Sequence, residues 1–310
     1  MKIALCVSVP NGGEEFLKLL ADTAARLASG KHEIGIDFTC HGEQQRGLTE
    51  TCGLKLPVYR SHIVPREERR YLHANSVTHS RCVNALFASV EADVAVICDF
   101  DMALVCRNWD QFLAQRVAEQ EIAFFGAPYS ADAGFNFRLP QLSIFARKYQ
   151  GQPNCMFAAF SPRRLRSISD RLCDFASTFG DPHSIPIRFI ATPEESRCFG
   201  LPVGSFQYID TGSRIPQLIA RHGLTHQTLE RRVKTYMVLR SARFPDNYPA
   251  FLYPEEYLHQ GVPFVVHFRK GASKSTEDGY GPDLFKRDID AWIAALPEKD
   301  ASLVGAAPGA

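Results

Sequence analysis

The segment Val94–Leu104, with the sequence VAVICDFDMAL, decides the fold of this chain. Its apolar residues do not alternate with polar ones, which is typical of a strand buried on both faces of a parallel or mixed sheet. Asp99 and Asp101 end the strand, and open α/β sheets bind ligands in the crevice at that edge. Two carboxylates there can bind one Mg²⁺ or Mn²⁺ and, through it, a diphosphate. Aspartate is also favoured at a plain strand-to-loop junction.

Strand and helix patterns alternate before this segment. Apolar runs predict strands over Lys2–Val9 and His32–Thr39 and near Leu56–Tyr59, and helical periodicity predicts helices over Glu14–Ser29 and Ser76–Val90. Such an order predicts an α/β fold, a Rossmann-like mixed sheet flanked by helices.

The second part of the chain gives weaker patterns. It predicts helices over Trp109–Glu119, Pro162–Phe175, Thr211–His222 and Leu284–Leu296, and strands over Ile122–Gly126, Met156–Phe160 and Pro263–Phe268. Neither a repeat nor a convincing linker interrupts the chain, so we expect one domain over residues 1–296. The remaining residues, 297–310, are mostly small or polar and are expected to be a disordered tail.

Composition excludes several classes of protein. The net charge is +1 over 310 residues, which argues against a nucleic-acid binder with its basic surface. We expect no transmembrane segment, because no apolar run is long enough to span a bilayer. The nine cysteines show no CxxC pair, and the N-terminal run is too short for a signal peptide. These features predict a cytoplasmic protein with reduced thiols.

Four segments in this order carry a family resemblance: VSVPN at Val7–Asn11, HSRCVNAL at His79–Leu86, DFD at Asp99–Asp101 and HFRKGASK at His267–Lys274. In them the chain resembles GT-A-type glycosyltransferases, closest to the family 2 style of nucleotide-sugar transferase. The resemblance implies a nucleotide-binding half over 1–130 and an acceptor half over 131–296, whose C-terminal region forms an acceptor or lid element. It covers the middle of the chain poorly.

The resemblance also implies contacts with the nucleotide, at Val9, Pro10, Asn11, Asp37, Arg81 and Asn84. Val9, Pro10 and Asn11 would line the base or ribose. Asp37, at the end of the second predicted strand, would accept the uracil N–H. Arg81 and Asn84 lie one helical turn apart and are equally well explained as exposed, solubilising residues.

The metal site implied by the resemblance consists of Asp99, Asp101 and His267. Asp99 would face the ribose or a metal-bound water, and Lys270 and Lys274 would contact the diphosphate. Neutral imidazole is a good ligand for Mn²⁺, and a flexible basic loop stabilises the charge of a departing diphosphate. A buried core histidine followed by a solvated basic loop is the alternative interpretation.

The function implied is metal-dependent transfer of a sugar from a nucleotide diphosphate sugar, UDP-linked by expectation, to an acceptor hydroxyl. The acceptor would be a glycan, a lipid-linked sugar or a small molecule. An inverting reaction needs a carboxylate general base, and Asp210 resembles that position. Asp210 could instead only cap the helix that follows it, and a retaining enzyme would need no such base.

Two other functions remain open. Haloacid-dehalogenase-type phosphohydrolases also place Asp-x-Asp after a buried strand, but their motif favours Thr or Val at the position of Ala103 and usually opens the chain. A non-catalytic, carbohydrate-binding transferase-like module would have the same fold without turnover. We discount a nucleotide-sugar pyrophosphorylase, because the loop after the first strand is acidic, with Glu14 and Glu15, rather than basic.

Overall fold

The computed structural model of the chain describes residues 1–42, 53–65, 74–129, 151–173, 212, 214–233, 255–268 and 281–296. The strands are, in chain order, β1 (Lys2–Val9), β2 (Glu33–His41), β3 (Val58–Val64), β4 (Val94–Asp99), β5 (Met102–Leu104), β6 (Phe124–Pro128), β7 (Pro153–Phe160), β8 (His226–Thr228), β9 (Glu230–Val233), β10 (Glu255–His259) and β11 (Val262–His267). The helices are α1 (Glu14–Leu27), α2 (Ala74–Ser89), α3 (Trp109–Ala114, followed by a π-helical turn over Gln115–Glu119), α4 (Pro162–Arg166), α5 (Arg214–His222) and α6 (Pro282–Ala295).

The described strands form two sheets. The main sheet has seven strands in the order β3-β2-β1-β4-β7-β6-β8. It is mixed, because β1 pairs in parallel with β2 and β4, whereas β7 runs antiparallel to β4 and β6. The predicted α/β fold with a mixed sheet and flanking helices is therefore confirmed. A smaller sheet has the order β5-β11-β10-β9, and of its strands only β11 was expected from the sequence.

The central strands β1 and β4 are buried on both faces, as predicted. Residues 94–98 of β4 are each at most 1% exposed. Alternate side chains of a strand point to opposite faces, and here they enter two different cores. One core includes Leu5, Val96 and the apolar face of α1, and the other includes Cys6, Ile97 and the apolar face of α2.

Two buried tryptophans tie helices to neighbouring segments of the chain. Trp292 of α6 donates its indole N–H to the carbonyl of Val105, directly after β5, at 3.1 Å. Trp109 of α3 donates to the carbonyl of Ala24 in α1 at 2.9 Å. Because both indole donors are satisfied, the rings add their large apolar area at no cost in unpaired polar groups.

Several predicted boundaries differ from the structure. The helix predicted over Pro162–Phe175 ends at Arg166, and residues up to 173 follow as turns. The two predicted halves share both sheets: β7 of the second half pairs with β4, and β11 with β5. The predicted tail, 297–310, lies outside the described residues. Within the described ranges, none of the helices has the length and apolar character that crossing a membrane requires.

Candidate metal centre

The two aspartates of the DFD sequence lie where the main sheet passes into the small sheet. Asp99 is the last residue of β4, and β5 begins at Met102. The chain therefore turns at Phe100 and Asp101, which displays both carboxylates beside the carboxyl end of β1. The carboxyl group of Asp101 is buried, with its side chain 4% exposed, and that of Asp99 is half-buried at 21%.

His267 is brought to these aspartates by backbone pairing. It is the last residue of β11 and lies opposite Met102 of β5 in an antiparallel pair. The next residue, Phe268, donates its backbone N–H to the carbonyl of Asp101 at 2.8 Å. The DFD turn and the end of β11 are thus tied together by backbone hydrogen bonds, independently of their side chains.

Four aromatic rings hold the same two segments in place. Phe100, between the two aspartates, packs edge-to-face on Phe16 of α1, with ring centroids 5.9 Å apart. Phe268, after the histidine, lies 4.9 Å from Phe16 and 5.2 Å from Phe285 of α6. Such pairs stabilise by about 0.5–1.5 kcal/mol each beyond the area they bury. Each metal-ligand candidate therefore has an apolar neighbour anchored in the core.

The three side chains converge on one point. The Nε2 atom of His267 is 3.1 Å from Oδ1 of Asp101 and 3.7 Å from Oδ2 of Asp99. One ligand atom from each residue can be chosen so that all lie within 4.8 Å of one another. Two carboxylates and an imidazole are a donor set that suits divalent cations such as Mn²⁺. The three residues that the resemblance implied as a metal site are therefore close together in the structure.

The opposite nitrogen of His267 also has a partner. Its Nδ1 is 3.2 Å from Oε2 of Glu255, a residue of β10 that is 1% exposed. Glu255 in turn is bonded to the guanidinium of Arg231 on β9. Backing a metal-ligating histidine with a carboxylate is a common arrangement in metalloproteins.

Electrostatics shows why a cation fits this cluster. Burial by itself lowers the pKa of His267, but the carboxylates of Asp101 and Glu255 outweigh it and raise that pKa well above its usual value. The raised pKa favours the imidazolium, in which both ring nitrogens donate to the neighbouring carboxylates. The cluster contains the carboxylates of Asp99, Asp101 and Glu255 and, bonded to Glu255, the guanidinium of Arg231. When the imidazole is neutral, the three carboxylates and the guanidinium carry a net charge of −2, which a divalent cation would balance.

A second histidine lies at the rim of the cluster. His79 of α2 has its Nε2 3.8 Å from Oδ1 of Asp99. Burial lowers its pKa to about 4, although Asp101 opposes the shift, so the ring is neutral at physiological pH. On the same edge, Ser8 of β1 lies beside Asp99 in register, and its hydroxyl is 2.7 Å from Nε2 of His41.

The predicted nucleotide contacts have mixed outcomes. Pro10 and Asn11 form the turn after β1, half-buried and exposed respectively, and Arg81 is exposed on α2. Val9, in contrast, is fully buried in the core packed against α1, so its side chain is turned away from a ligand. The predicted nucleotide contact of Val9 can therefore involve only its backbone.

Asp37 and Asn84 also need correction. Asp37 is not at a strand end, because β2 continues to His41, and the residue is only 1% exposed. Burial accordingly raises the pKa of its carboxyl group, against the lowering effects of Arg60, His62 and Lys2. The amide of Asn84 is not merely solubilising, because it binds backbone groups: Oδ1 accepts the backbone N–H groups of Leu172 and Cys173 at 2.9 Å, and Nδ2 donates to the carbonyl of Cys173 at 2.9 Å.

Asp210, Lys270 and Lys274, the predicted base and diphosphate contacts, lie outside the described residues. Sequence reasoning missed Glu255 and Arg231, and gave no separate role to His79. The signal for Glu255 was present: a short segment with Tyr257 and Leu258, a Gln260-Gly261 turn and a second strand that ends in His267. Predicting a β-hairpin from this pattern would have placed Glu255 near His267.

Comparison of the sequence with protein-family models finds no match, and comparison with curated proteins finds none either. The functional interpretation therefore depends on the geometry of the metal centre and on the resemblance of the motifs.

Proposed function

We propose that this protein is a metal-dependent glycosyltransferase of the GT-A type, which transfers a sugar from a nucleotide diphosphate sugar to an acceptor hydroxyl. The observation that carries the proposal is the meeting of Asp99, Asp101 and His267 at the carboxyl end of β4. Asp101 and His267 are 166 positions apart in the sequence, yet ligand atoms of all three residues lie within 4.8 Å of one another. The arrangement is the one that the DFD motif and the late histidine led us to expect.

The three side chains would hold Mn²⁺ or Mg²⁺, and the imidazole favours Mn²⁺, because Mg²⁺ prefers oxygen ligands only. Bound there, the cation would supply positive charge to a diphosphate leaving group. Asp101 and His267 are buried, and backbone hydrogen bonds between their segments hold them close to each other. Asp99 is half-buried, which leaves its carboxylate open to the crevice where the donor would lie.

A UDP-linked donor, Asp210 as a general base, and diphosphate contacts from Lys270 and Lys274 belong to this proposal through the resemblance. The acceptor would be a glycan, a lipid-linked sugar or a small molecule. A cytoplasmic location is supported by the seven described cysteines, which are all buried thiols.

A thermal-shift panel of nucleoside diphosphates and nucleotide sugars, with and without Mn²⁺, tests the proposal. A ligand at 100 times its Kd adds about 2.7 kcal/mol to the free energy of unfolding. We expect stabilisation by a uridine diphosphate compound that requires Mn²⁺, followed by metal-dependent release of UDP when acceptors are added. Phosphate release from a phosphomonoester would instead favour the phosphohydrolase, and metal-independent binding of glycans alone would favour the non-catalytic module.

A further inference from the structure

Four buried side chains form a continuous chain across the small sheet. Asp101 contacts Nε2 of His267 at 3.1 Å, Glu255 contacts Nδ1 of the same ring at 3.2 Å, and Arg231 bonds to Glu255. None of the four is more than 7% exposed in its side chain. Burying a carboxylate and a guanidinium costs several kcal/mol each before their attraction is counted, so the position of this pair calls for a reason.

The backbone register brings Glu255 to His267. The β10–β11 hairpin turns at Gln260 and Gly261, both with positive φ, and first pairs His259 with Val262. A register shift between Tyr257 and Leu258 then places Glu255 opposite His267.

Arg231 approaches the same carboxylate from the other side of β10. Arg231 lies on β9, opposite Tyr257 of β10. That position is diagonal to Glu255 and on the same face of the sheet. The pair of Glu255 and Arg231 thus lies directly behind the imidazole, on the side away from the aspartates.

We propose that Glu255 is the positioning residue of the metal centre: it accepts the Nδ1–H of His267, so that the lone pair of Nε2 faces the cation, and Arg231 fixes the Glu255 carboxylate in that position. The inference rests on the metal centre in the proposed function and is independent of the sugar chemistry. An imidazole can bind a metal through either nitrogen, and the partner of the other nitrogen selects which one. Glu255 therefore holds both the ring orientation and the tautomer, while touching neither the metal nor a substrate.

The neighbouring residue provides a matched control. Glu256 pairs with Arg232 on the same two strands, with 2.8 Å between Arg232 Nε and Glu256 Oε2. It is 5% exposed, and burial raises its pKa to about 7 against the opposing effect of Arg232. Adjacent residues of a strand point to opposite faces, so this Glu–Arg pair faces away from His267. A general effect of losing a buried ion pair between β9 and β10 should therefore appear whichever pair is removed. An effect that acts through His267 should appear only when the Glu255–Arg231 pair is removed.

The test is the Mn²⁺ affinity of the full chain by isothermal titration calorimetry, for wild type and the double variants R231M/E255L and R232M/E256L. Replacing both members of a buried pair by apolar residues is often neutral for stability. We expect a 10–100-fold loss of affinity in R231M/E255L and less than about a twofold change in R232M/E256L. In an H267A background, R231M/E255L should cause no further loss.

If R231M/E255L does not fold, E255D and E256D take its place, because each keeps the charge and shortens the side chain by one methylene. E255D should weaken Mn²⁺ binding and E256D should not. Wild-type affinity in the Glu255 variants, or equal losses at both pairs, would overturn the positioning role alone. Failure of the wild type to bind Mn²⁺ would overturn both this inference and the proposed function. If the Mn²⁺ affinities change as expected but the protein transfers no sugar, only the proposed function is refuted.

Discussion

Replacing Asp101 by Asn is the sharpest test of the metal centre, because it removes one negative charge and exchanges a carboxylate for a weaker, neutral amide ligand while preserving shape. The backbone hydrogen bond from Phe268 to the Asp101 carbonyl remains possible. Loss of a residue that hydrogen-bonds to a metal ligand lowers the metal affinity about 10–100-fold. We therefore expect loss of the carboxylate ligand itself to lower the Mn²⁺ affinity at least about 100-fold. The carboxylate is 4% exposed and lies 3.1 Å from His267, which leaves little room for a water to replace it.

The thermal shift follows from these values. At a Mn²⁺ concentration of 100 times the wild-type Kd, the wild type gains about 2.7 kcal/mol and the variant about 0.4 kcal/mol. With about 2.1 cal/mol/K of unfolding entropy per residue, the 310-residue chain has a Tm shift of about 1.5 °C per kcal/mol. Differential scanning fluorimetry should therefore show a rise of about 4 °C for wild type and under about 1 °C for Asp101→Asn.

Asp110→Asn is the control for losing a buried carboxylate elsewhere. Asp110 is fully buried and accepts hydrogen bonds from the N–H and hydroxyl of Ser29 at 2.7 and 2.6 Å. Its replacement should lower the Tm without metal, yet leave the Mn²⁺-induced rise unchanged. A full 4 °C rise in Asp101→Asn would refute the reasoning, since the ion would then bind without this carboxylate.

Three further predictions follow from the same geometry. The pKa of His267 is higher in the folded protein than its unfolded value of about 6.5, so the protonated ring stabilises the metal-free fold fully below about pH 6.5, and this stabilisation is lost as the pH rises through the folded-state pKa. Because Mn²⁺ displaces the proton, calorimetry should show the Mn²⁺ affinity rising about tenfold per pH unit until the folded-state pKa is reached. Asn84→Ala should cost about 2–3 kcal/mol in urea unfolding, through the unpaired backbone groups of Leu172 and Cys173, with no change in nucleotide affinity; a selective loss of affinity would restore the nucleotide role. Gly126→Ala should lose at least about 1–3 kcal/mol, because a Cβ would lie 2.1 Å from the carbonyl oxygen of Phe157, and wild-type stability in urea would show that the strands can separate.

The sequence by itself determined the parts that depend on local pattern. The uninterrupted run of Val94–Cys98 predicted a strand buried on both faces, and the two cores against α1 and α2 confirm it. The helix Glu14–Leu27 was equally readable, because its apolar residues repeat with the helical period and Gly30 follows its end. The resemblance of the motifs also led from Asp99 and Asp101 to a histidine far along the chain.

Only the tertiary structure decided which polar residues serve the centre and which serve the fold. Asn84 and Asp37 are residue types that often contact ligands. In the structure, however, the Asn84 side chain hydrogen-bonds to the backbone of Leu172 and Cys173, and Asp37 is buried inside β2. Side-chain partners separated by about ninety residues depend on chain packing, which no local period encodes.

The clearest case is Glu255. With the unshifted register that begins at His259 and Val262, it would lie opposite Val266, whereas the shift at Tyr257 places it opposite His267. A one-residue change of register moves a side chain to the other face of a sheet. Pairing between strands, set by a single irregularity in the hairpin, therefore determines whether this carboxylate lies beside His267 or away from it.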